Sequence, residues 1–235
     1  MLRHGLIVAF FISVTAPASA IVGGETIDGW RLGRPTVAVW QAGRGVCTGV
    51  AIGADLVLTA AHCVSSGQAV RVGTPRLPWT TVHETVTHPD FVPEKPRVAD
   101  LALLKLSQAL FKDTARVASR PASVGNRLIV LGYGIADDGK RDMRLLMTAL
   151  TVNGLAFGLL QLVDRSTANS GSGSAGCGGD SGGPVFLMRS GAPQVVGIIN
   201  SGTIGCRGAT YVTPLSRYHL WIMETADKLG SAIGE

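Results

Sequence analysis

A chain of 235 residues can bury a substantial core as one large domain or two small ones. Its apolar fraction of 46%, with only 16% charged residues and 31 glycines, excludes a disordered polar chain and suits many short strands joined by turns. The formal charge of +5 is dispersed, and its densest patch, Lys140-Arg-Asp-Met-Arg144, is interrupted and follows Asp137 and Asp138, which argues for a solvated loop and against nucleic acid as a partner.

Residues 1–20 differ in kind from the rest: Arg3 and His4, an apolar run over 6–14, then Pro17 and the small residues Ala18-Ser-Ala20. This pattern predicts a cleaved secretory signal. The apolar run is about half of the roughly 20 residues a spanning helix needs, and no later stretch is long enough. An exported chain places its four cysteines in an oxidising compartment as two disulfides, for which the sequence leaves three pairings open. Removal of 1–20 exposes Ile21-Val-Gly-Gly24.

From Pro35 onward, runs rich in Val, Ile, Leu and Thr alternate with Gly, Pro or Asp punctuation at 36–41, 46–52, 56–59, 69–72, 81–87, 101–106, 127–131, 145–152, 159–163, 184–188, 194–200 and 210–212. Strands at this spacing predict an all-β barrel or sandwich. One long helix is expected, over 216–229, with Trp221, Ile222, Thr225 and Leu229 on its apolar side and Gly230 closing it. A boundary between two similar halves is expected within 116–125.

Three segments carry chemistry. In Leu58-Thr-Ala-Ala-His-Cys63 a strand runs into a small-residue turn that a cysteine can fix, holding His62 still. In Val98-Ala-Asp-Leu-Ala-Leu-Leu-Lys-Leu106, Asp100 heads an almost wholly apolar strand. A buried carboxylate needs a partner such as an imidazole N–H, whereas an exposed one would only cap a turn. In Cys177-Gly-Gly-Asp-Ser-Gly-Gly-Pro-Val-Phe186, glycines strip side chains from around Ser181, so that backbone N–H groups can point at an approaching atom. The plain alternative is a flexible Gly/Ser loop, which the run Asn169-Ser-Gly-Ser-Gly-Ser174 upstream represents.

In this order, Ile21-Val-Gly-Gly, Leu58-Thr-Ala-Ala-His-Cys, Asp100-Leu-Ala-Leu-Leu-Lys-Leu and Gly179-Asp-Ser-Gly-Gly-Pro resemble the chymotrypsin/trypsin family of serine proteases over the whole chain from residue 21 to the terminal helix. The resemblance implies two six-stranded antiparallel β-barrels, about 21–120 and 121–235, with the site between them. It implies His62 as general base, Asp100 as its orienting acid, Ser181 as nucleophile, and the N–H groups of Gly179 and Ser181 as the oxyanion hole. It pairs Ile21, as a free terminus, with Asp180, and Cys47 with Cys63 and Cys177 with Cys206. Because the signal abuts Ile21, signal peptidase alone is expected to make the active form; a cut after Ala18 would leave Ser19 and Ala20 in front and a weak or inactive chain.

The same resemblance puts Ala175 and Gly176 at the floor of the specificity pocket, with Asn200 to Gly202 as the facing wall and Ala209 narrowing it. With no carboxylate there, small to medium apolar residues are expected before the cleaved bond. The family's further disulfides are missing, so the loop over 169–174 is expected to lack a tether. No cofactor or metal is implied. Partners are polypeptide substrates and protein inhibitors of proteases, with no nucleic acid, and with no membrane once the signal is gone; the chain is expected to be a secreted or periplasmic monomer.

Two other enzyme readings fail. Gly179-Asp-Ser-Gly-Gly fits the G-x-S-x-G elbow of α/β-hydrolases, but that fold needs an acid and then a histidine after the serine, and here His219 precedes Glu224, Asp227 and Glu235. His83-Glu84 and His88 are five apart rather than four, and Pro89 follows, so they make no helical zinc motif. A non-catalytic protease-like binding protein is the other class, against which the intact His62, Asp100 and Ser181 argue.

Overall fold

The computed structural model describes residues 21, 23–27, 31–134, 143–167 and 173–234. The first barrel contains β2 Thr36–Gln41, β3 Gly45–Gly53, β4 Leu56–Thr59, β5 Val70–Thr74, β6 Leu77–Thr87 and β7 Ala102–Leu106. They close in the order β2-β3-β4-β7-β6-β5, antiparallel throughout. Branched and aliphatic residues fill its interior, Val37, Val39, Val50, Leu58 and Leu103 among them, all out of reach of water.

The second barrel contains β9 Arg127–Gly132, β10 Leu146–Ala156, β11 Leu159–Val163, β12 Pro184–Arg189, β13 Ala192–Gly202 and β14 Ala209–Pro214. Its order is β9-β10-β11-β14-β13-β12, and β12 pairs back to β9. Leu128, Val130, Leu150, Leu162 and Val185 make its core, and Ile21 is buried among them.

Every expected strand is present. Those expected at 81–87 and 145–152 are longer than their apolar pattern: β6 begins at Leu77 although Pro78 argues against a strand there, and β10 runs on to Ala156 to meet β11 in a hairpin. Two short strands escaped the pattern, β1 Glu25–Thr26, which pairs with β10, and β8 Arg116–Val117, which joins β13 in parallel. Both are too short for a period of two to register.

The terminal helix is α1 His219–Lys228, preceded by a 3-10 turn over Leu215–Arg217 instead of extending back to Ser216. Its buried face is Ile222, Thr225 and Ala226, while Leu220 and Met223 face solvent. That face packs on the first barrel, whereas β1 and Ile21 pack on the second. Each end of the described chain thus fastens onto the barrel furthest from it in sequence.

Candidate active site

His62 lies in the 3-10 turn Ala61–Cys63 that follows β4, and the Cys47–Cys63 disulfide ties this turn to β3. Asp100 precedes β7 and is fully buried. Its Oδ1 accepts the His62 backbone N–H at 2.9 Å, and its Oδ2 accepts His62 Nδ1–H at 2.7 Å. Two bonds to one carboxylate lock both the backbone and the ring, and they place the proton on Nδ1, leaving Nε2 as the acceptor nitrogen. Ala99, just before Asp100, is held at a φ of +46°, and its N–H reaches the hydroxyl of Tyr218 at 3.2 Å.

A third donor to Asp100 was not foreseen from residue types. Asn200 Nδ2 reaches Oδ2 at 2.7 Å and the Pro96 carbonyl at 2.6 Å. The pairing of β13 with β14 shifts register between Ile199 and Ser201, and that bulge turns the Asn200 side chain out of the ladder. Asn200 is expected in a wall of the specificity pocket through its backbone, and its side chain serves the acid. Its carbonyl accepts the Ser181 hydroxyl at 3.3 Å.

The turn around Ser181 is held from four sides. Asp180, fully buried, accepts Ile21 N–H at 3.0 Å and Cys177 N–H at 2.8 Å on Oδ2, and Gly134 N–H at 3.0 Å on Oδ1. Burial pushes its carboxyl up to about 6 even though these three donors favour the charged form. The fourth hold comes from Thr48 in β3. Its N–H donates to the Ser181 carbonyl at 2.8 Å, and its hydroxyl donates to the Gly179 carbonyl at 2.8 Å while accepting Tyr133 N–H at 2.9 Å. Nothing in Cys47-Thr-Gly marks Thr48 in the sequence. Glycine is required twice: Gly179 has φ +100° with Gly134 Cα 2.6 Å from where a Cβ would be, and at Gly182 a Cβ would fall 2.2 Å from the Thr48 carbonyl oxygen.

The second disulfide, Cys177–Cys206, joins the two segments expected to form the pocket walls. These walls touch: a Cβ on Gly202 would be 2.1 Å from the Gly176 carbonyl oxygen, and Gly176 N–H is bonded to Thr210 Oγ1 at 2.8 Å. Ala175 is fully buried and Ala209 nearly so. Of the loop over 169–174, residues 169–172 lie outside the described residues; Ser174, expected untethered, donates its N–H to Asp164 Oδ2 at 3.1 Å.

The other histidines have different settings. His83 is exposed on β6, and His88 is buried with its ring against Tyr218 and Trp221. Cys47, Cys63 and His62 cluster closely enough to suggest a metal, but both sulfurs are consumed by their disulfide and only the imidazole remains.

This arrangement, a hydroxyl, an imidazole and a buried carboxylate between two six-stranded barrels, coincides with a match of residues 21–222 to the family described as Trypsin. The chain belongs to the trypsin family of serine proteases. Human kallikrein-4 is 29% identical over 241 aligned residues that take in 90% of this chain and 89% of the kallikrein. Phenoloxidase-activating factor 1 of Holotrichia diomphalia and vitamin K-dependent protein C of the rat are each 29% identical across 75% of this chain. The alignments span 60% and 45% of those two longer relatives.

Proposed function

We propose that this family member is an active, exported serine endopeptidase. The observation that carries the reading is the pair of bonds from Asp100 to His62, beside a serine turn that is itself locked by Asp180 and Thr48. Ser181 Oγ attacks the scissile carbonyl once rotation about its χ1 turns the hydroxyl from the Asn200 carbonyl toward His62 Nε2, which takes the proton and later delivers it to the leaving amine. Asp100 keeps the ring in the required tautomer and stabilises its protonated form. The N–H groups of Gly179 and Ser181 bind the developing oxyanion, and water then releases the acyl group from Ser181.

The substrate residue before the bond docks at the segments that carry Ala175, Gly176 and Gly202. Because Ala175 offers no charge and these walls touch, small apolar side chains suit the pocket best. Residues 1–20 act as the secretory signal, and the barrels divide near residue 120. Among the described residues no helix is long and apolar enough to cross a membrane. Polypeptides are the substrates, and protein inhibitors of proteases are the natural opponents.

The test is labelling by a serine-directed phosphonate reagent, with hydrolysis of a peptide amide measured in parallel. Labelling that disappears in Ser181→Ala is expected. Absence of labelling in correctly cut protein, or labelling undiminished in that variant, would defeat the protease reading.

A further inference from the structure

Of two neighbouring clefts, one reaches the serine turn at Gly178 and Gly179. The nearer, about 180 Å3, is lined by Arg44 and Val46 of the first barrel, by Tyr133, Gly134 and Met143, and by Gly178 and Gly179. The further, about 560 Å3, shares Tyr133 and Met143 with it and continues past Arg34, Arg76 and Arg144. The shared residues make the two one groove.

Its direction follows from the turn. A substrate carbonyl in the oxyanion site, with the preceding side chain on the Gly176 and Gly202 side, sends its leaving half to the other flank of Gly179. That flank faces Gly134 and Val46: a Cβ on Gly179 would lie 2.6 Å from Gly134 Cα and 3.4 Å from the Val46 carbonyl oxygen. These residues line the nearer cleft.

Among the described residues the groove is one-sided in charge. Arg44, Arg34, Arg76 and Arg144 line it there against one acid, Asp113, which is 3.6 Å from Arg34. Arg44 and Arg76 are exposed and, among the described residues, take part in no ion pair within the salt-bridge distance. Tyr133 adds no opposing charge: its hydroxyl donates to the Thr36 carbonyl at 3.3 Å, and burial, outweighing the nearby Arg76, pushes it up to about 12. By contrast, the cleft beside Gly23 and Ser174 mixes Glu25 and Asp164 with Arg127 and Arg165, a balance that favours neither sign.

We propose that this groove binds the substrate chain beyond the scissile bond and selects carboxylate side chains there, through Arg44 near the bond and Arg76 further along. The proposal rests on the peptidase reading and specifies its substrate class: proteins with acidic residues following the cut. Exposed ion pairs are individually weak, so each matched carboxylate should raise kcat/KM by roughly twofold to fivefold at low ionic strength. The gain should vanish in about 1 M salt, where the screening length falls to about 3 Å.

The test uses the mature protein and internally quenched peptides that are identical up to the scissile bond and carry Glu, Gln or Lys at the second to fourth positions after it. Rates for each protein are normalised to its hydrolysis of a small ester that has no residues after the bond. The expected order is Glu, then Gln, then Lys, with the Glu-to-Gln ratio reduced at least twofold in both Arg76→Gln and Arg44→Gln and close to unity at high salt. Equal cleavage of the Glu and Gln peptides at low salt, or a ratio that survives both substitutions, overturns the groove while ester hydrolysis keeps the peptidase reading. Loss of ester hydrolysis in the unsubstituted mature protein defeats the peptidase reading itself, and this proposal with it.

Discussion

Thr48 binds the serine turn at two carbonyls, Ser181 through its backbone and Gly179 through its hydroxyl. Replacing it with valine keeps the shape but leaves the Gly179 carbonyl and the Tyr133 N–H without this partner, and an unmatched buried polar group costs about 1–3 kcal/mol. If the turn relaxes to recover those bonds, the oxyanion donors move. Thr48→Val should therefore lower kcat roughly tenfold or more with little change in KM, and Thr48→Ser should recover most of the loss. Steady-state kinetics normalised by active-site titration checks this; an unchanged kcat would limit the support from Thr48 to its backbone bond. Thr48 and Asn200 were both illegible in the sequence because their roles are made across separations of 131 and 100 residues, and for Asn200 by a bulge that no residue pattern announces. His62, Asp100 and Ser181 were legible because each stands in a local motif whose neighbours serve the same chemistry.

At the scale of elements, the segment before β1 brings Ile21 N–H to the buried Asp180 carboxylate. Asp180 has its carboxyl raised from an ordinary 3.8 to about 6 by burial, next to an Ile21 N–H that is part of a peptide bond while residues precede it. A raised acid contributes stability that is complete below about 4 and lost as pH rises through 6. A free Ile21 ammonium would attract the carboxylate and draw that pKa down, removing the loss. A chain carrying Ser19 and Ala20 should accordingly weaken between pH 4 and 6 relative to its Asp180→Asn variant, and a chain starting at Ile21 should not. Urea unfolding of both forms, with the terminus confirmed by N-terminal sequencing, reads the difference; equal pH dependence would remove Asp180 as the sensor of the free terminus. The strands themselves were readable from their apolar runs, and the exceptions are instructive: β1 and β8 are defined by the partners they find, β10 and β13, and the helix starts only after a 3-10 turn.

For the whole molecule, the exchange of ends matters most. The Lys105 ammonium on β7 meets Asp55 Oδ2 at 2.6 Å and Ser231 Oγ at 2.7 Å, and Ser231 returns a bond to Asp55 Oδ1 at 2.8 Å. This triad pins the segment after α1 to the first barrel, beside a bridge between Gly53 and Ile233. Burial pulls the Asp55 carboxyl up, but Lys105 and Ser231 outweigh it and hold it below its ordinary 3.8. A lowered acid stabilises above its unfolded pKa and loses that contribution as pH falls through its folded one. Asp55→Asn should cost about 1 kcal/mol at pH 7, and less as pH drops below 4. Denaturant melts at both pH values check this; a cost independent of pH would make the triad a matter of packing.

The sequence by itself determined the all-β class, and its family resemblance singled out the serine, the histidine, the aspartate and the cysteine pairs, because strand periodicity and the family's motifs are written in neighbouring residues. Only the tertiary structure decided that Thr48 and Asn200 buttress those groups, that Gly176 and Gly202 meet, and that four arginines from separate parts of the chain line one groove. Those features depend on which distant segments the two barrels bring together, and side-chain contact across such separations leaves no local period or motif to read.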